Sequence, residues 1–517
     1  MCNVGGFLFT QRPPHPSLIL DFLPRLLMAG EDRGVDATGV VFVDQLGAMQ
    51  WIRKALPAHE FVRDPEVMQV FQKWCLEATA VLWNSRAQPL PEGDSLSEQN
   101  RQPIVVDHIA ITHNGTISND RELTQGYNLP RSTEVDTEVA ARLYSQLHSP
   151  NGVAKDEAVW RVQQLCQLLS GGFAMGLSDS RRPQCLHLFR NFKPLSYLID
   201  THYQFLAFSS EVKSLRKAFE YLDHTPWRPE TQIIQVPPYT GVFASTEHGQ
   251  LTTAHYPIET KPETFVPELD PERAIVICSG GIDSSTAAAV AVKLHKKRTV
   301  LLNIDYGQKS AAKEWVAVQR VARVLQCTPT KIEVPFLGHI SHVPLTDRNV
   351  PIPEGMKSIE STLCWVPARN LILLSLAAGV AEALGIKYIY SGFNLEESGS
   401  YPDNDIGFFE SFNLALQYGT LRRVELRLVL ERLMKPEILR LGHHLGVPYD
   451  RTWSCDDGGD APCGICGCCT NRQWAFVRAG LKDEQMYLHK LKEFPPWWEQ
   501  DVPIKEATLD ELLVRMG

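Results

Sequence analysis

A glycine-rich turn between a predicted strand and a predicted helix is the segment best suited to chemistry. The apolar run Ala274–Cys278 predicts a buried strand, and the alanine-rich stretch Thr286–Leu294 predicts a helix. Between them stand Ser279, Gly280, Gly281, Ile282, Asp283, Ser284 and Ser285. Such a turn leaves backbone N–H groups at a helix N-terminus, which is an anion site suited to phosphate. The turn lacks the Gly-Lys-Ser/Thr sequence of a P-loop, so a P-loop kinase or GTPase is not indicated.

A cluster of cysteines forms a second chemical pattern. Five of the twelve cysteines fall within Cys455–Cys469. Four of them have the spacing of zinc ligands, with two CxxC steps at the end: Cys455, Cys463, Cys466 and Cys469. These four thiolates predict a tetrahedral zinc site, and a closed ligand set makes that zinc structural. Cys468 falls outside the CxxC spacing, and an iron–sulfur cluster is the alternative interpretation of the same ligands.

The second residue, Cys2, is a candidate nucleophile. Cysteine is small, so removal of Met1 would leave Cys2 as the first residue with a free α-amine. A thiol and an amine on one residue supply a nucleophile and its base. If Met1 is retained, the α-amine is blocked and this chemistry is silent.

Further polar residues stand at or near the carboxyl ends of predicted strands, where open α/β sheets hold their ligands. They are Asp305–Gln308, Arg369, Asn370, Ser391–Asn394, Tyr401 and Asp403. Lys435 opens another predicted helix.

These residues must be positioned by more than one domain, because 517 residues are too many for a single core. Residues 256–272 hold four prolines and little apolar periodicity, which predicts a linker. We therefore expect an N-terminal domain over residues 1–255 and a C-terminal domain over residues 273–517.

Short β-type runs with intervening helical patterns dominate before the linker, a mixture that predicts an α+β layered sandwich. The predicted strands are Gly39–Val43, Ala80–Trp83, Ile109–Thr112, Phe173–Leu177, Tyr203–Phe208 and Ile233–Val236. The predicted helices are Ser17–Met28, Asp136–Leu147 and Glu157–Leu169.

After the linker, strands alternate with helices, which predicts an α/β fold with a doubly wound parallel sheet. The predicted strands are Ala274–Cys278, Thr299–Ile304, Lys331–Val334 and Tyr388–Ser391. The predicted helices are Ser285–His295, Lys309–Leu325 and Asn370–Leu384.

Composition narrows the class of protein. The net charge of −9 argues against broad nonspecific binding of nucleic acid. The longest apolar stretch, Leu371–Gly385, is too short to span a bilayer and carries Glu382. The N-terminus has no signal-peptide pattern, so we expect a cytoplasmic protein.

The N-terminal part resembles class II glutamine amidotransferases of the asparagine synthetase type. The resemblance is carried by Glu31–Gly39, Trp83–Arg86, His113–Asn119, Thr133–Glu138 and Phe208–Lys213, in order. It implies an Ntn-hydrolase αββα sandwich in which Cys2 attacks the side-chain amide of glutamine. Asn114 and the Gly115 N–H would form the oxyanion hole. Arg86 would bind the glutamine α-carboxylate, and Asp136 its α-ammonium group.

Two segments depart from that pattern, and in the first of them Val35 replaces the usual Pro. After Arg86 come Ala87, Gln88 and Pro89, where many family members have Trp or Phe, Ala and Thr. An amidotransferase fold kept only as a docking scaffold is therefore the alternative to an active glutaminase.

The C-terminal part resembles the N-type ATP pyrophosphatases in its Ser-Gly-Gly-x-Asp-Ser loop, and QueC, the 7-cyano-7-deazaguanine synthases, over residues 273–480. Asp-Tyr-Gly-Gln, Val-Pro-x-Arg-Asn, Tyr-Pro-Asp and the four cysteines occur in the QueC order. Departures stand at Ala368, which replaces the usual Gly, and at Glu397–Ser400, where the family usually has Asp-Phe-Ser-Gly.

The resemblance implies an adenine nucleotide α-hydrolase-like fold and assigns the remaining roles. ATP would be bound by Ser279, Gly280, Gly281, Asp283, Ser284, Ser285 and Lys435, with Asp283 also helping to place Mg²⁺. A 7-deazaguanine would be bound by Arg369, Asn370, Tyr401 and Asp403. Arg369 and Lys435 would also offset the developing phosphate charge.

The combined resemblance predicts an ATP-dependent C–N ligase with glutaminase activity. It would adenylate a 7-carboxy-7-deazaguanine and convert it with glutamine-derived ammonia to the amide or nitrile. Alternatively, the enzyme joins the deazaguanine to an amine of a protein substrate that is encoded nearby, in antiphage defence. In another alternative it acts on tRNA, as in archaeosine formation. The N-terminal domain would then bind or process a peptide. A non-catalytic scaffold is the third interpretation, and we expect a homo-oligomer in each case.

Overall fold

The computed structural model describes residues 2–10, 16–87, 97–148, 157–200, 204–219, 232–261, 267–355, 362–398 and 401–491. The chain falls into two units, Met1–Glu263 and Thr264–Gly517. One strand ends at Pro257 and the next begins at Asp270, so both ends of the predicted linker 256–272 belong to strands. Residues 262–266 of that linker lie outside the described residues.

The first unit contains two antiparallel sheets with helices on their outer faces. Its strands are β1 Asn3–Phe9, β2 Ala37–Asp44, β3 Met49–Lys54, β4 Ala78–Arg86, β5 Ile104–Val106, β6 Ile109–Ile117, β7 Gly171–Asp179, β8 Cys185–Arg190, β9 Ser196–Asp200, β10 Phe205–Ser209, β11 Ile233–Gln235, β12 Thr240–Ser245 and β13 Thr252–Pro257. Its helices are α1 Pro16–Ala29, α2 Ala58–Phe61, α3 Pro65–Trp74, α4 Asp120–Gly126, α5 Asp136–Gln146, α6 Glu157–Leu168 and α7 Val212–Phe219. The strand orders are β11-β9-β10-β1-β4-β2-β3 and β13-β12-β8-β7-β6-β5.

Three apolar cores hold these four layers together. One core joins the first sheet to α1, α2, α3 and α7, and another joins the second sheet to α4, α5 and α6. The third core lies between the two sheets. Strand β1 shows how the layers are built, since Phe7 and Phe9 enter the helix-side core while Leu8 enters the core between the sheets. This arrangement is the expected αββα sandwich.

The predicted strands of the first unit all fall on or within observed ones apart from end residues, but the prediction missed several others. Tyr203, at the start of one predicted strand, lies outside the described residues. Strand β1 was missed because Gly5 and Gly6 interrupt its apolar run. Both glycines are needed there: a Cβ on Gly5 would meet the Trp83 ring, and one on Gly6 would meet the Val81 carbonyl oxygen.

The second unit is built on one parallel sheet with helices on both faces. Its strands are β14 Asp270–Ile277, β15 Thr299–Asp305, β16 Thr328–Glu333, β17 Ile386–Asn394 and β18 Glu425–Leu430, in the order β16-β15-β14-β17-β18. Its helices are α8 Ile282–His295, α9 Ala311–Leu325, α10 Phe336–Ile340, α11 Arg369–Ala383, α12 Leu395–Ser398, α13 Ile406–Gly419, α14 Lys435–His444 and α15 Gly467–Ala479. The core on one face includes α8, α9, α14 and α15, and the core on the other includes α11 and α13.

The expected doubly wound α/β fold is therefore present, and the sheet is fully parallel. Strand β14 buries alternate side chains in the two cores, with Val276 on one face and Ile275 on the other. Helix α8 begins at Ile282 rather than at the predicted Ser285, so part of the glycine-rich turn is the first turn of this helix. No helix among the described residues is long and apolar enough to cross a membrane.

Candidate active sites

The glycine-rich turn joins β14 to α8 and is fixed by close contacts. Gly280 has a φ of +76°, and a Cβ there would lie 2.7 Å from the Ala317 Cβ, so only glycine fits without strain. The Gly280 carbonyl accepts a hydrogen bond of 2.8 Å from the Trp453 N–H. The hydroxyls of Ser279 and Ser284 lie 3.2 Å apart. The first N–H groups of α8 have no partner within the helix, which leaves them for an anion.

Strands β14 and β17 are neighbours in the sheet. The chain leaves β14 for α8 on one face of the sheet, and after β17 it reaches α13 on the other face. In an open parallel sheet this switch point is where loops diverge and form a ligand crevice. The turn after β14 and the end of β17 meet there, since a Cβ on Gly392 would lie 2.6 Å from the Ser284 nitrogen. The predicted nucleotide residues are thus assembled at the expected edge of the sheet.

A buried ion pair lies beside the turn. Lys435, the first residue of α14, places its Nζ 3.0 Å from Oδ2 of Asp283. Burial lowers the pKa of Lys435, but the carboxylates of Asp283 and Glu397 outweigh burial and hold the pKa above its usual value. Lys435 therefore stays cationic next to the anion site. The other oxygen of Asp283, Oδ1, is buried without a hydrogen-bond partner among the described residues.

The predicted deazaguanine residues form a second group in the same unit. The Asn370 N–H donates to Oδ2 of Asp403 at 3.2 Å, and the Asn370 side chain donates to the Asp403 carbonyl at 3.2 Å. Asn370 therefore orients Asp403, whose Oδ1 is buried and has no partner among the described residues. The ring of Tyr401 stacks on Trp365 with a centroid distance of 5.6 Å and an interplanar angle of 25°. Sequence reasoning missed Trp365, which belongs to no motif spacing.

Arg369 lies close to the Asp-Tyr-Gly-Gln segment: burial raises the pKa of the Tyr306 hydroxyl, and the positive charge of Arg369 acts against this rise. The backbone N–H of Tyr306 donates to Gln308 at 2.9 Å, and Gln308 donates to Glu314 at 2.9 Å. Burial raises the pKa of Glu314, which also accepts a hydrogen bond of 2.5 Å from Ser310. Helix α9 thereby holds the segment after β15 in place. Glu314 is a positioning residue that no motif indicated.

The four predicted zinc cysteines come together near the start of α15. The Sγ atoms of Cys455, Cys463, Cys466 and Cys469 all lie within 4.8 Å of one another. Tetrahedral zinc with Zn–S bonds of about 2.3 Å requires sulfur atoms about 3.8 Å apart, so the four thiols fit zinc with small movements. Backbone N–H groups point at the sulfurs, from Cys463 to Cys455 and from Cys466 to Cys463, each at 3.3 Å. Cys468 does not belong to the cluster.

The first unit contains a cleft of about 1060 Å³, and all five predicted catalytic residues line it. They are Cys2, Arg86, Asn114, Gly115 and Asp136. The cleft is also lined by Gln102, Arg131 and Lys193, which sequence reasoning missed.

Asn114 has a hydrogen-bond donor that is not used, and Gly115 has a backbone conformation that requires glycine. Asn114 is 1% exposed, and its Nδ2 has no acceptor among the described residues. Gly115 has a φ of +147°, and a Cβ there would collide with the Gly172 carbonyl oxygen, so no other residue fits. Strand β6 thus presents a buried free amide next to a backbone that can approach a ligand closely.

Asp136 and Cys2 differ in ionisation. Burial raises the pKa of Asp136, but His113 and the Ile117 N–H outweigh burial and leave the pKa below its usual value. The Ile117 N–H donates to Oδ2 of Asp136 at 2.7 Å, so Asp136 is an ionised carboxylate. Burial raises the pKa of the Cys2 thiol, so a base must take its proton before it can attack. Arg86 donates to the Asn100 carbonyl.

Each of the two units contains a segment that matches a known protein family. Residues 273–480 match the queuosine biosynthesis protein QueC family, and residues 92–217 match a glutamine amidotransferase domain. A 7-cyano-7-deazaguanine synthase of Saccharolobus solfataricus is 32% identical over 94% of this chain and 99% of its own length. This chain belongs to the 7-cyano-7-deazaguanine synthase family. A second such synthase, from Sulfurisphaera tokodaii, is 31% identical over 94% of this chain and all of its own length.

Members of the family differ in length. The 7-cyano-7-deazaguanine synthase of Koribacter versatilis is 39% identical over 43% of this chain and 96% of its own length, so nearly all of it matches less than half of this chain. Among solved structures, the allosteric regulatory enzyme of purine biosynthesis aligns with 64% of this chain and 80% of its own. Its identity is 13% and its TM-score 0.37, too low to establish a common fold. Family membership therefore confirms the expected enzyme class, with a glutamine amidotransferase domain added.

Proposed function

We propose that the second unit activates the carboxylate of a 7-carboxy-7-deazaguanine with ATP, and that the first unit supplies ammonia from glutamine. The observation that carries the proposal is the anion site at the switch point between β14 and β17. Asp283, which pairs with the cation Lys435, has its Oδ1 buried without a partner among the described residues, and so has Ser285 its Oγ. A buried polar atom without a partner costs about 1–3 kcal/mol. A nucleotide phosphate would accept a hydrogen bond from the Ser285 hydroxyl, and a magnesium ion bound with the nucleotide would be held by Asp283 Oδ1.

The first chemical step is adenylation. An oxygen of the substrate carboxylate attacks the α-phosphorus of ATP, the bond from that phosphorus to the bridging oxygen breaks, and pyrophosphate leaves. Lys435 and Arg369 offset the negative charge that builds on the phosphate oxygens. A magnesium ion held by Asp283 would neutralise the pyrophosphate.

Ammonia then attacks the acyl carbon of the adenylate, AMP leaves, and the amide forms. A second adenylation, on the amide oxygen, followed by loss of AMP and two protons gives the nitrile. Tyr401 and Asp403 hold the deazaguanine ring, with the free Oδ1 of Asp403 accepting a ring N–H.

The ammonia comes from the cleft of the first unit. The α-amine of Cys2 takes the thiol proton, the sulfur attacks the glutamine amide carbon, and ammonia leaves with that proton. Asn114 and the Gly115 N–H donate to the oxyanion, and water then hydrolyses the glutamyl thioester. Arg86 and Asp136 bind the two charged groups at the α-carbon of glutamine.

A covalent link between the two activities has a kinetic reason. Tethering makes delivery intramolecular, so the local ammonia concentration exceeds that in solution.

The test uses the purified full chain with ATP, 7-carboxy-7-deazaguanine and glutamine labelled with ¹⁵N at the side-chain amide. We expect the label in the product, with one AMP formed per amide and two per nitrile. Glutamine labelled at the α-amine is the control and should transfer nothing. Absence of AMP formation that depends on the deazaguanine acid would contradict the proposal.

A further inference from the structure

Asn394 ends strand β17 at the nucleotide crevice and has no role in the chemistry described above. It is only 2% exposed, and its Nδ2 is buried without a hydrogen-bond acceptor among the described residues. Leaving a buried N–H without an acceptor is unfavourable, so such a group is expected to serve a ligand.

The orientation of the Asn394 amide is determined by its own loop. Its Oδ1 accepts a hydrogen bond of 3.2 Å from the Glu397 N–H. A backbone N–H can only donate, so the atom it contacts must be the oxygen, and Nδ2 is the free end. The free group is therefore a donor of two hydrogens.

Asn394 follows Gly392 by two residues at the end of β17, past an irregularity in the pairing of β17 with β18 between Ser391 and Asn394. Gly392 lies directly against the first turn of α8, with 2.6 Å between the Ser284 nitrogen and the position of its absent Cβ. Asn394 stands no more than about 7 Å farther along the strand. It thus lies next to the anion site but beyond the turn itself.

The loop that holds Asn394 is tied to the start of α14. The Leu395 N–H donates to the Leu433 carbonyl at 3.2 Å, and the Lys435 N–H donates to Glu396 Oε1 at 2.8 Å. Lys435 in turn forms the ion pair with Asp283 at 3.0 Å. The two residues that follow Asn394 therefore tie the end of β17 to the helix that carries Lys435.

We propose that Asn394 is a further catalytic residue, whose Nδ2 donates a hydrogen bond to a nonbridging oxygen of the ATP α-phosphate. The inference rests on the proposed adenylation. The turn after β14 is assigned to the pyrophosphate, and Tyr401 and Asp403 follow Asn394 along the chain on the substrate side. We therefore assign the Asn394 donor to the α-phosphate, which connects the pyrophosphate to the substrate in the reaction.

The contact strengthens as the reaction proceeds. The carboxylate oxygen forms its bond to the α-phosphorus while the bond to pyrophosphate breaks, and negative charge grows on the nonbridging oxygens. Asn394 keeps its protons throughout and acts only by stabilising that charge.

The experiment compares Asn394→Asp and Asn394→Ala with the wild-type chain. Asn394→Asp keeps the acceptor for the Glu397 N–H and loses the donor, so it tests the donor without disturbing the loop bond. The control is Asn413→Asp, since both ends of Asn413 bond the backbone of Leu426 at 2.8 Å, away from the crevice. Binding of α,β-methylene-ATP, ATP–pyrophosphate exchange with the deazaguanine acid, and thermal stability are measured for each.

We expect both Asn394 variants to bind the analogue about tenfold more weakly and to lose about a hundredfold in exchange. Asn413→Asp should lose stability and keep both activities. Wild-type binding in Asn394→Asp would overturn the proposal and leave adenylation standing. Weakened binding in a chain that never activates the acid would support Asn394 and overturn the proposed substrate. A wild-type chain that does not bind the analogue would overturn both.

Discussion

Asn114 is buried, and its Nδ2 donor is unused among the described residues. Such a donor is expected in an oxyanion hole to which no substrate is bound. Substituting Asn114 by alanine removes that donor from the cleft. We expect kcat for glutamine hydrolysis to fall by about a hundredfold, with ammonia release as the measurement.

Asn119→Ala is the matched control. Asn119 also lies near the end of β6, but its Nδ2 donates to Leu168 at 2.9 Å and its Oδ1 accepts from Ser170 at 2.9 Å. This variant should lower the melting temperature and leave kcat unchanged. Equal losses of kcat in both variants would mean that Asn114 has only a structural role.

His187 gives a residue-scale prediction about pH. It is buried beneath the second sheet, and burial lowers its pKa from 6.5 to about 3. The folded chain keeps His187 neutral while the unfolded chain takes up a proton below pH 6.5, so acid favours unfolding. This stability is fully present above pH 6.5 and is lost progressively down to about pH 3.

The expected loss between about pH 7 and about pH 5 is roughly 2 kcal/mol from this residue. The measurement is the free energy of unfolding in urea at both pH values, for wild type and His187→Gln. Glutamine cannot be protonated, so the variant should have the shallower pH dependence. Parallel pH dependences would show that His187 does not titrate as its burial implies.

At the scale of elements, the packing of β17 against α8 positions the anion site. Gly392→Ala places a methyl group where the Ser284 nitrogen leaves no room. We expect the turn to shift and ATP–pyrophosphate exchange to fall by up to about a hundredfold, since displacements near 1 Å have that effect. Exchange at saturating acid is the measurement.

The control for this substitution is Gly379→Ala in α11, where a Cβ meets nothing within 4 Å. Alanine favours helix over glycine by about 0.5–1 kcal/mol, so this variant should be more stable and equally active. Wild-type exchange by Gly392→Ala would show that the contact does not position the turn.

Helices and strands with a regular pattern of apolar residues could be predicted from the sequence. Those in which polar residues or glycines interrupt that pattern could not. Helix α11 was predicted within one residue at each end, because the residues between Arg369 and Glu382 are mainly apolar and include no helix-breaking proline. Strand β8 was missed because all six of its residues are buried, including His187 and Arg190, so its sequence does not look apolar.

In the candidate sites, residues that belong to a sequence motif could be predicted, and residues placed only by the fold could not. Motif residues such as Asp283 and Asn114 could be named from their neighbours in sequence. Asn394 and Gly392 occur in a motif, but their roles depend on the packing of β17 beside β14. The order of the strands along the chain does not determine which strands are neighbours in the sheet. Trp365 and Lys193 carry no sequence signal, since their positions are decided by the fold alone.

At the scale of the whole molecule, the two units should be separable by single substitutions. Cys2→Ala removes the nucleophile of the first unit and leaves the crevice of the second untouched. We expect product formation driven by glutamine to disappear, while formation driven by added ammonium salt persists at the wild-type rate. Asp283→Asn should reduce both, because it alters the partner of Lys435 in the activating unit.

Cys75→Ala is the control for Cys2→Ala, because Cys75 is a buried thiol that does not line the cleft. Product is measured with glutamine and with ammonium for all four chains, and intact mass establishes whether Met1 is removed. Synthesis driven by glutamine in Cys2→Ala would exclude Cys2 as the nucleophile. A wild-type chain that retains Met1 yet uses glutamine would exclude the α-amine as the base, because that amine would be acylated.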